Sequence, residues 1–307
     1  MANLKELSLK EDYLTGGHRL CAGCGASIAV RQVLMASDVP VVVGCATGCL
    51  EVSTTIYPYT AWKCSYIHNA FENVAATISG VESAYKSLKR QGKIDKELKF
   101  VAFGGDGGTY DIGLQALSGA LERGHNFVYV CYDNGAYMNT GIQRSSATPI
   151  GAWTTTTPAG KRQIKKDLPA ICADHNIPYV AQASISHWKD LTAKAAKALE
   201  ADGPAFLNIL SPCPRGWRHA SNETVGIAKI GVQTRYWPLF EVENGEWKLN
   251  VNVREAKPIE EWLKPQGRFK HLFAPGNEQL LAEVQADVDR NWNKVLARCA
   301  ASSAVNE

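Results

Sequence analysis

The sequence predicts an α/β fold built on a doubly wound, mostly parallel sheet, followed by an irregular C-terminal extension. Three observations predict it. Apolar runs alternate with amphipathic stretches through the first two thirds of the 307 residues, the pattern of strands joined by crossover helices. One apolar run ends in Gly104-Gly105-Asp106-Gly107-Gly108 and the next in Asp133-Asn134, so polar groups gather where strands stop. Beyond Pro214 the alternation gives way to scattered aromatic residues.

In order, a helix over residues 26–36 precedes a strand over 39–44, and an amphipathic helix over 69–90 precedes a strand ending at Gly104. A helix over 111–121 packs on that strand, and 126–132 reads as its parallel neighbour. Residues 135–165 are rich in Thr, Ser and Gly and include Trp153-Thr154-Thr155-Thr156-Thr157-Pro158. Loops of that length are functional or disordered. The alternation resumes with a helix over 166–175, a strand over 179–183, a helix over 188–201 and a strand over 205–210. Residues 1–214 are therefore expected to form the α/β domain, and 215–307 an extension that packs on the core or on a partner subunit. The extension carries Trp217, Tyr236, Trp237, Trp247 and Trp262, a hairpin signal in Glu243-Asn244-Gly245-Glu246, and a final helix over 278–298.

Composition narrows the function. With 45% hydrophobic and 21% charged residues the chain reads as a soluble globular protein with a large core. A formal net charge of +3 and no dense Lys/Arg tract argue against a nucleic-acid footprint. No apolar stretch approaches the roughly 18 residues needed to span a bilayer. Residues 1–10 lack a signal-peptide core, so a cytoplasmic protein is expected. The nine cysteines are then read as reduced thiols, metal ligands or buried hydrophobes rather than a disulfide framework.

The strand ends suggest a magnesium ion holding a diphosphate. Asn134 follows Asp106 by 28 residues, and in a βαβ unit the carboxyl ends of neighbouring strands lie side by side. Both oxygens can then reach one cation, which wants about six oxygen ligands, several of them phosphate or water. Gly105, Gly107 and Gly108, lacking Cβ atoms, let backbone N–H groups approach phosphate oxygens at a helix start. Each cluster taken alone also reads as a tight turn; their placement at consecutive strand ends favours the site.

Cys21-Ala22-Gly23-Cys24 lies just before a helix, Cys49 closes Ala46-Thr47-Gly48-Cys49, and Cys213 sits in Ser211-Pro212-Cys213-Pro214 at the end of the last parallel strand. Four such thiolates suit a tetrahedral zinc or a [4Fe–4S] cluster, and spacing does not separate the two. Cys45, Cys64, Cys131, Cys172 and Cys299 read as buried or incidental. His68 reads as a hydrogen-bonded structural group or a substrate contact.

The segments Cys21-Ala22-Gly23-Cys24-Gly25, Ala46-Thr47-Gly48-Cys49, Gly105-Asp106-Gly107-Gly108, Tyr132-Asp133-Asn134, Tyr137-Met138-Asn139-Thr140-Gly141 and Ser211-Pro212-Cys213-Pro214 together resemble the β subunit of 2-oxoacid:ferredoxin oxidoreductases, the thiamin-diphosphate-binding half of pyruvate synthase and its relatives. Tyr236-Trp237-Pro238-Leu239 and Gly267-Arg268-Phe269-Lys270 resemble that family's C-terminal region. The resemblance implies a thiamin-diphosphate-binding fold. It implies that Asp106, Asn134 and the carbonyl of Ala136 ligate Mg2+, that Gly105 to Gly108 cradle the diphosphate, and that Thr47, Gly48 and Cys49 run beside the cofactor ring. Cys21, Cys24, Cys49 and Cys213 would ligate a [4Fe–4S] cluster, and Asn139 would face substrate as the catalytic residue. The implied reaction is oxidative decarboxylation of a 2-oxoacid, with electrons leaving one at a time through the cluster to ferredoxin and CoA as the usual acyl acceptor.

The same resemblance implies partners: an α subunit that supplies the cofactor-activating glutamate and the substrate arginines, and a ferredoxin-like cluster subunit. Three positions depart from the pyruvate enzymes, with Ala26 and Gly135 where Glu is usual and Cys45 where Asn is usual. They leave open pyruvate, another 2-oxoacid, or a dicarboxylate such as oxalate. Two rival readings are a thiamin-dependent decarboxylase with structural zinc and a non-catalytic electron-transfer subunit that carries a cluster.

Overall fold

A computed structural model describes residues 3–305. Eight strands form one sheet: β1 (Val41–Ala46), β2 (Ser65–Asn69), β3 (Lys99–Gly105), β4 (Val128–Asp133), β5 (Tyr179–Ser184), β6 (Ala205–Leu210), β7 (Phe240–Glu243) and β8 (Glu246–Leu249). Their order is β2-β1-β3-β4-β6-β5-β7-β8. The first six are parallel, and β7 and β8 join antiparallel at one edge.

Both faces of the central strands are covered, which is why those strands read as continuous apolar runs rather than alternating ones. Val101, Phe103, Val128 and Val130 face one core. Phe100, Ala102, Tyr129 and Cys131 face the other. The first face is closed by the helices Gly25–Leu34 and Trp188–Glu200, which bury Ala29, Val30 and Val33 and Leu191 and Ala195. The second is closed by Val74–Arg90 and Leu114–Glu122 through Val74, Ala75, Ile78, Leu117 and Ala120. Each apolar stripe recurs at three- and four-residue spacing, so one face of the helix meets the sheet. Among the described residues no helix is long and apolar enough to cross a membrane.

Several elements differ from the sequence-based expectation. Residues 65–69, where no strand was expected, form the edge strand β2, and the helix expected from 69 begins only at Val74. Most of β2 is exposed or half-exposed, so it carries no apolar run to signal it. The helix expected over 111–121 is interrupted: residues Gly107–Ile112 form a π-helical turn, and the α-helix begins at Leu114. The Gly113 N–H donates to Gly108 O at 2.8 Å, and a Cβ on Gly113 would lie 2.3 Å from that oxygen. Only glycine fits there, and such wide turns gather at functional sites. Short helices at Cys49–Thr54 and Thr224–Gln233 were not expected, and the last helix runs Glu278–Val305.

Residues after Pro214 contribute to the same sheet and the same core. The β7–β8 hairpin turns through Asn244 and Gly245, both at positive φ, as a two-residue hairpin turn requires. Trp217, Trp237, Trp262 and Phe269 are buried with residues from the parallel strands. Tyr236 stacks on Trp262 at 3.8 Å between ring centroids, and Trp217 meets Trp262 edge-on at 5.6 Å.

The order of strands places the site. From β1 the chain steps outward to β2, then crosses back over β1 to β3 and continues the other way. The crevice at the carboxyl ends of β1 and β3 is therefore a topological switch point, where ligands of open α/β sheets bind. The turn after β1 carries Thr47 to Cys49, and the turn after β3 carries Asp106 to Gly108.

Candidate active site at the carboxyl ends of the strands

The turn after β4 is held from several sides. Asp133 Oδ1 accepts from Gly135 N at 3.0 Å, Trp217 Nε1 donates to Asn134 O at 2.6 Å, and Thr148 Oγ1 donates to Gly135 O at 2.7 Å. Lys165 Nζ donates to the other oxygen of Asp133 at 2.7 Å and lies 4.2 Å from the Trp237 ring centre. Gly135 takes φ +74°, a conformation costly for any residue with a Cβ. These clamps leave the Ala136 carbonyl turned toward the end of β3.

Asp106 is fully buried beneath that turn. Its Oδ2 accepts from Ser145 Oγ at 2.5 Å, and its Oδ1 accepts from Asn134 N at 3.2 Å. The Asn134 side-chain oxygen faces only acceptors, Asp106 Oδ1 and Ala136 O, each at 3.0 Å. Turned over, the amide would donate to both; as placed, three oxygens converge on one point. Burial first, and the neighbouring Asp133 second, push the Asp106 carboxyl up to about 8. A carboxylate raised in this way is poised to exchange its proton for a cation.

Thr47, Gly48, Cys49, Gly105, Gly107 and Gly108 line one small cavity of about 20 Å³ with Asn134, Ala136 and Asn139. Of the residues expected to hold the cofactor, only Asp106 lies outside the wall, directly under it. The ring of Tyr137 covers the glycines: a Cβ on Gly107 would lie 2.4 Å from it. Asn139 is exposed at the mouth.

All four expected cysteines, Cys21, Cys24, Cys49 and Cys213, line a second cavity of about 300 Å³. The glycines of the first motif bring the loops together. Gly25 N donates to Pro212 O at 3.1 Å, and a Cβ on Gly25 would lie 2.8 Å from Ser211 C. Thr224 Oγ1 donates to Gly23 O at 2.6 Å, and a Cβ on Gly23 would strike Ser221 O at 2.1 Å. Cys213 Sγ accepts from Gly216 N at 3.3 Å. Burial pushes the Cys24 thiol up to about 11 and Cys49 up to about 12, and it also raises Cys213. The thiols raise one another further, so ionising all four needs a positive group among them.

The two cavities share Cys49, Tyr132, Asn134, Met138 and Asn139. A family model described as "Thiamine pyrophosphate enzyme, C-terminal TPP binding domain" matches residues 42–209, from β1 into β6. The chain is 56% identical to "Pyruvate synthase subunit PorB" of Thermotoga maritima, over 95% of this chain and 94% of that protein. This chain belongs to the β-subunit family of the 2-oxoacid:ferredoxin oxidoreductases. It is also 46% identical to "Ketoisovalerate oxidoreductase subunit VorB" of Pyrococcus furiosus, over 91% of this chain and 92% of that one. Among solved structures, 2-oxoglutarate:ferredoxin oxidoreductase from Magnetococcus marinus shares the fold with a TM-score of 0.56 at 22% identity, over 71% of this chain and 79% of that one.

In this β-subunit chain several side chains shape the site without having been legible in the sequence. Ser145, Lys165, Trp217 and Thr148 hold Asp106, Asp133, Asn134 and Gly135, yet a Ser or Thr inside a long polar loop carries no distinguishing signal. Phe71 and Tyr132 line the smaller cavity. Thr47 Oγ1 lies 2.8 Å from His68 Nε2 and donates to Asn69 O, and the buried Glu51 lies 3.6 Å from the same ring nitrogen. His68 is thereby tied to the turn after β1. Only Tyr132, at the end of an apolar run beside Asp133-Asn134, had a positional clue.

Proposed function

We propose that this chain holds thiamin diphosphate through Mg2+ on Asp106, Asn134 and the Ala136 carbonyl, and carries a [4Fe–4S] cluster on Cys21, Cys24, Cys49 and Cys213. With an α subunit and a ferredoxin-like cluster subunit it would catalyse oxidative decarboxylation of a 2-oxoacid, using CoA as acyl acceptor and ferredoxin as electron acceptor. Pyruvate is the first substrate to test, because the relative from Thermotoga maritima, at 56% identity, is named a pyruvate synthase subunit. The observation that carries the reading is the shared wall: one set of residues, Cys49, Tyr132, Asn134, Met138 and Asn139, borders both the cofactor turn and the four thiols.

The residues suit these groups. Magnesium holds oxygens at about 2.0–2.1 Å in an octahedron, which puts adjacent ligands about 3 Å apart. That is the spacing of the Asn134 oxygen from its two neighbours, 3.0 Å, and a cation there removes any need to turn the amide over. A tetrahedral zinc on four thiolates would draw the sulfurs to within about 3.8 Å of one another. Among the described residues no three Cys, His, Asp or Glu side chains close on a single metal position; the thiols stand around a cavity of about 300 Å³. A cavity of that volume has room for a polynuclear group.

When bound, thiamin diphosphate supplies the carbanion chemistry that releases carbon dioxide, and the cluster accepts the electrons. The chain's own part is positional. Asp106, relieved of its proton, anchors the cation, while Ser145 holds its second oxygen. Gly105, Gly107 and Gly108 would present their backbone to the diphosphate. Asn139, at the mouth, presents its amide to the 2-oxo group. The activating glutamate would come from another chain, as the family resemblance implies. Val52, Tyr57, Tyr59 and Ile67 are exposed within one stretch beside the edge strand β2, apolar surface suited to a partner subunit.

The test is anaerobic purification of the chain with its partner subunits, iron and sulfide analysis, and a viologen-reduction screen with pyruvate, 2-oxoglutarate, branched 2-oxoacids and oxalate. Brown, air-sensitive, thiamin-dependent enzyme is expected. A colourless, iron-free, active preparation would end the reading.

A further inference from the structure

Tyr132 stands in the wall between the two cavities with its hydroxyl unused. Its side chain is 2% exposed and lines both cavities, but the hydroxyl donates to no acceptor. The comparably buried tyrosines differ: Tyr110 accepts from Asn208, Tyr129 pairs with Thr109, and Tyr179 donates to Glu241. A buried hydroxyl is rarely left without a partner, because its lost hydration is not replaced.

The surroundings are cleared for it. A Cβ on Gly48 would lie 2.8 Å from the hydroxyl, and a Cβ on Gly105 would lie 3.3 Å from the ring. Gly48 immediately precedes Cys49, and Cys45, Cys49 and Cys24 all raise the phenol through their charge, after burial. The Leu50 N–H faces the phenol oxygen, which leaves the phenol's own proton to be given elsewhere.

The four cysteines also differ in what they accept. Backbone N–H groups of Ala26 and Ser27 serve Cys24, and those of Gly216 and Arg215 serve Cys213. Among the described residues no hydrogen bond reaches Cys49 Sγ. Tyr132 and Cys49 line the same two cavities, one with a proton that no acceptor takes and the other with a sulfur that no donor reaches.

We infer that the Tyr132 hydroxyl donates a hydrogen bond to sulfur at the Cys49 corner of the iron–sulfur site and so sets its reduction potential. The inference rests on the reading given under Proposed function. A donor to sulfur favours the reduced, more electron-rich state. Losing it makes the site harder to reduce, at the corner nearest the cofactor turn. Tyr132 is a positioning residue here, acting through sulfur rather than on substrate.

The experiment uses the full chain with its cluster reconstituted anaerobically from iron and sulfide, followed by redox titration monitored by electron paramagnetic resonance. Tyr132→Phe is expected to load the cluster and shift its midpoint negative. At a fixed potential the reduced-to-oxidised ratio falls about 2- to 12-fold, the equilibrium worth of one hydrogen bond. 3-Fluorotyrosine placed at position 132 keeps the ring, donates more strongly, and moves the midpoint the opposite way. Tyr66→Phe removes a hydroxyl that meets Cys45 and Thr54 and lines neither cavity and leaves the midpoint unchanged. A cluster-loaded Tyr132→Phe with the wild-type midpoint, or one in which only thiamin diphosphate affinity changes, overturns the inference alone. A wild-type chain that takes up no iron overturns the underlying reading and the inference with it.

Discussion

Replacing Lys165 with Met tests how the turn after β4 is held. Lys165 Nζ meets Asp133 Oδ2 at 2.7 Å, with the Asp133 side chain 3% exposed and that of Lys165 19% exposed. Removing one partner of a buried ion pair costs about 3–5 kcal/mol, because the other charge is left buried and unpaired. Water reaches Lys165 in part, so the low end, about 3 kcal/mol, is expected. For a chain of this size that is a fall in melting temperature of about 6 °C. The cost should lie in the stranded carboxylate rather than in the missing lysine. Lys165→Met combined with Asp133→Asn keeps an oxygen for the Gly135 N–H and removes the charge, so it should recover most of the loss. The single variant also reaches the cation site. Asp133 already raises the Asp106 carboxyl, and freed of Lys165 it raises it further, so Mg2+ must displace a more tightly held proton. The assays are thermal and urea unfolding of the cation-free chain, and calorimetric titration with Mg2+ and thiamin diphosphate. A single variant within about 1 kcal/mol of wild type, or no less stable than the double variant, would refute the argument.

Cation binding should also report on Asp106 directly. Its carboxyl is held near 8 in the folded chain, far above the value of about 4 in the unfolded one. The folded, cation-free chain therefore binds the extra proton between these values, and this contribution to stability is present at low pH and lost as pH rises toward 8. Mg2+ displaces that proton, so affinity should tighten up to about tenfold per pH unit below 8 and level off above it. Calorimetry in buffers of different ionisation enthalpy counts the proton; zero release at pH 6–7 contradicts the assignment. Ser145→Ala should weaken Mg2+-dependent binding about 10- to 100-fold, the usual effect of losing the partner that orients a ligand. In the metal-free chain at pH 8, Cys24, raised from 9 to about 11, should alkylate about 100-fold more slowly than an unperturbed thiol, and the exposed Cys21 should react first. Peptide mass spectrometry gives the order, and equal rates would show that the cavity is open. Gly135→Ala forces a Cβ onto φ +74° and to within 3.0 Å of an Arg268 nitrogen, which should cost about 1–2 kcal/mol in urea unfolding.

Much of this molecule can be read along the chain. Asp106 and Asn134 converge because each follows the end of a buried strand and β3 and β4 are parallel neighbours, a relation carried by apolar period and strand length. The order of six motifs, three of which hold the four cysteines, leads to the family for the same reason: each motif is local. What stayed hidden was either quiet or distant. β2 is an exposed edge with no apolar run, and the break at Gly113 depends on a contact with Gly108 O that a helical pattern does not announce. Ser145, Lys165 and Trp217 reach Asp106, Asp133 and Asn134 across 39, 32 and 83 residues, and nothing in a serine, a lysine or a tryptophan names a partner at that range.

The sequence by itself determined the central strands, the polar residues at their ends and the kinship, because those are set by short-range period and by residue type. Tertiary structure alone decided that the chain after 214 completes the sheet and core, that two cavities share one wall, and that a tyrosine hydroxyl stands unused between them. Each depends on which strands lie side by side, and that order follows from packing both faces of the sheet at once.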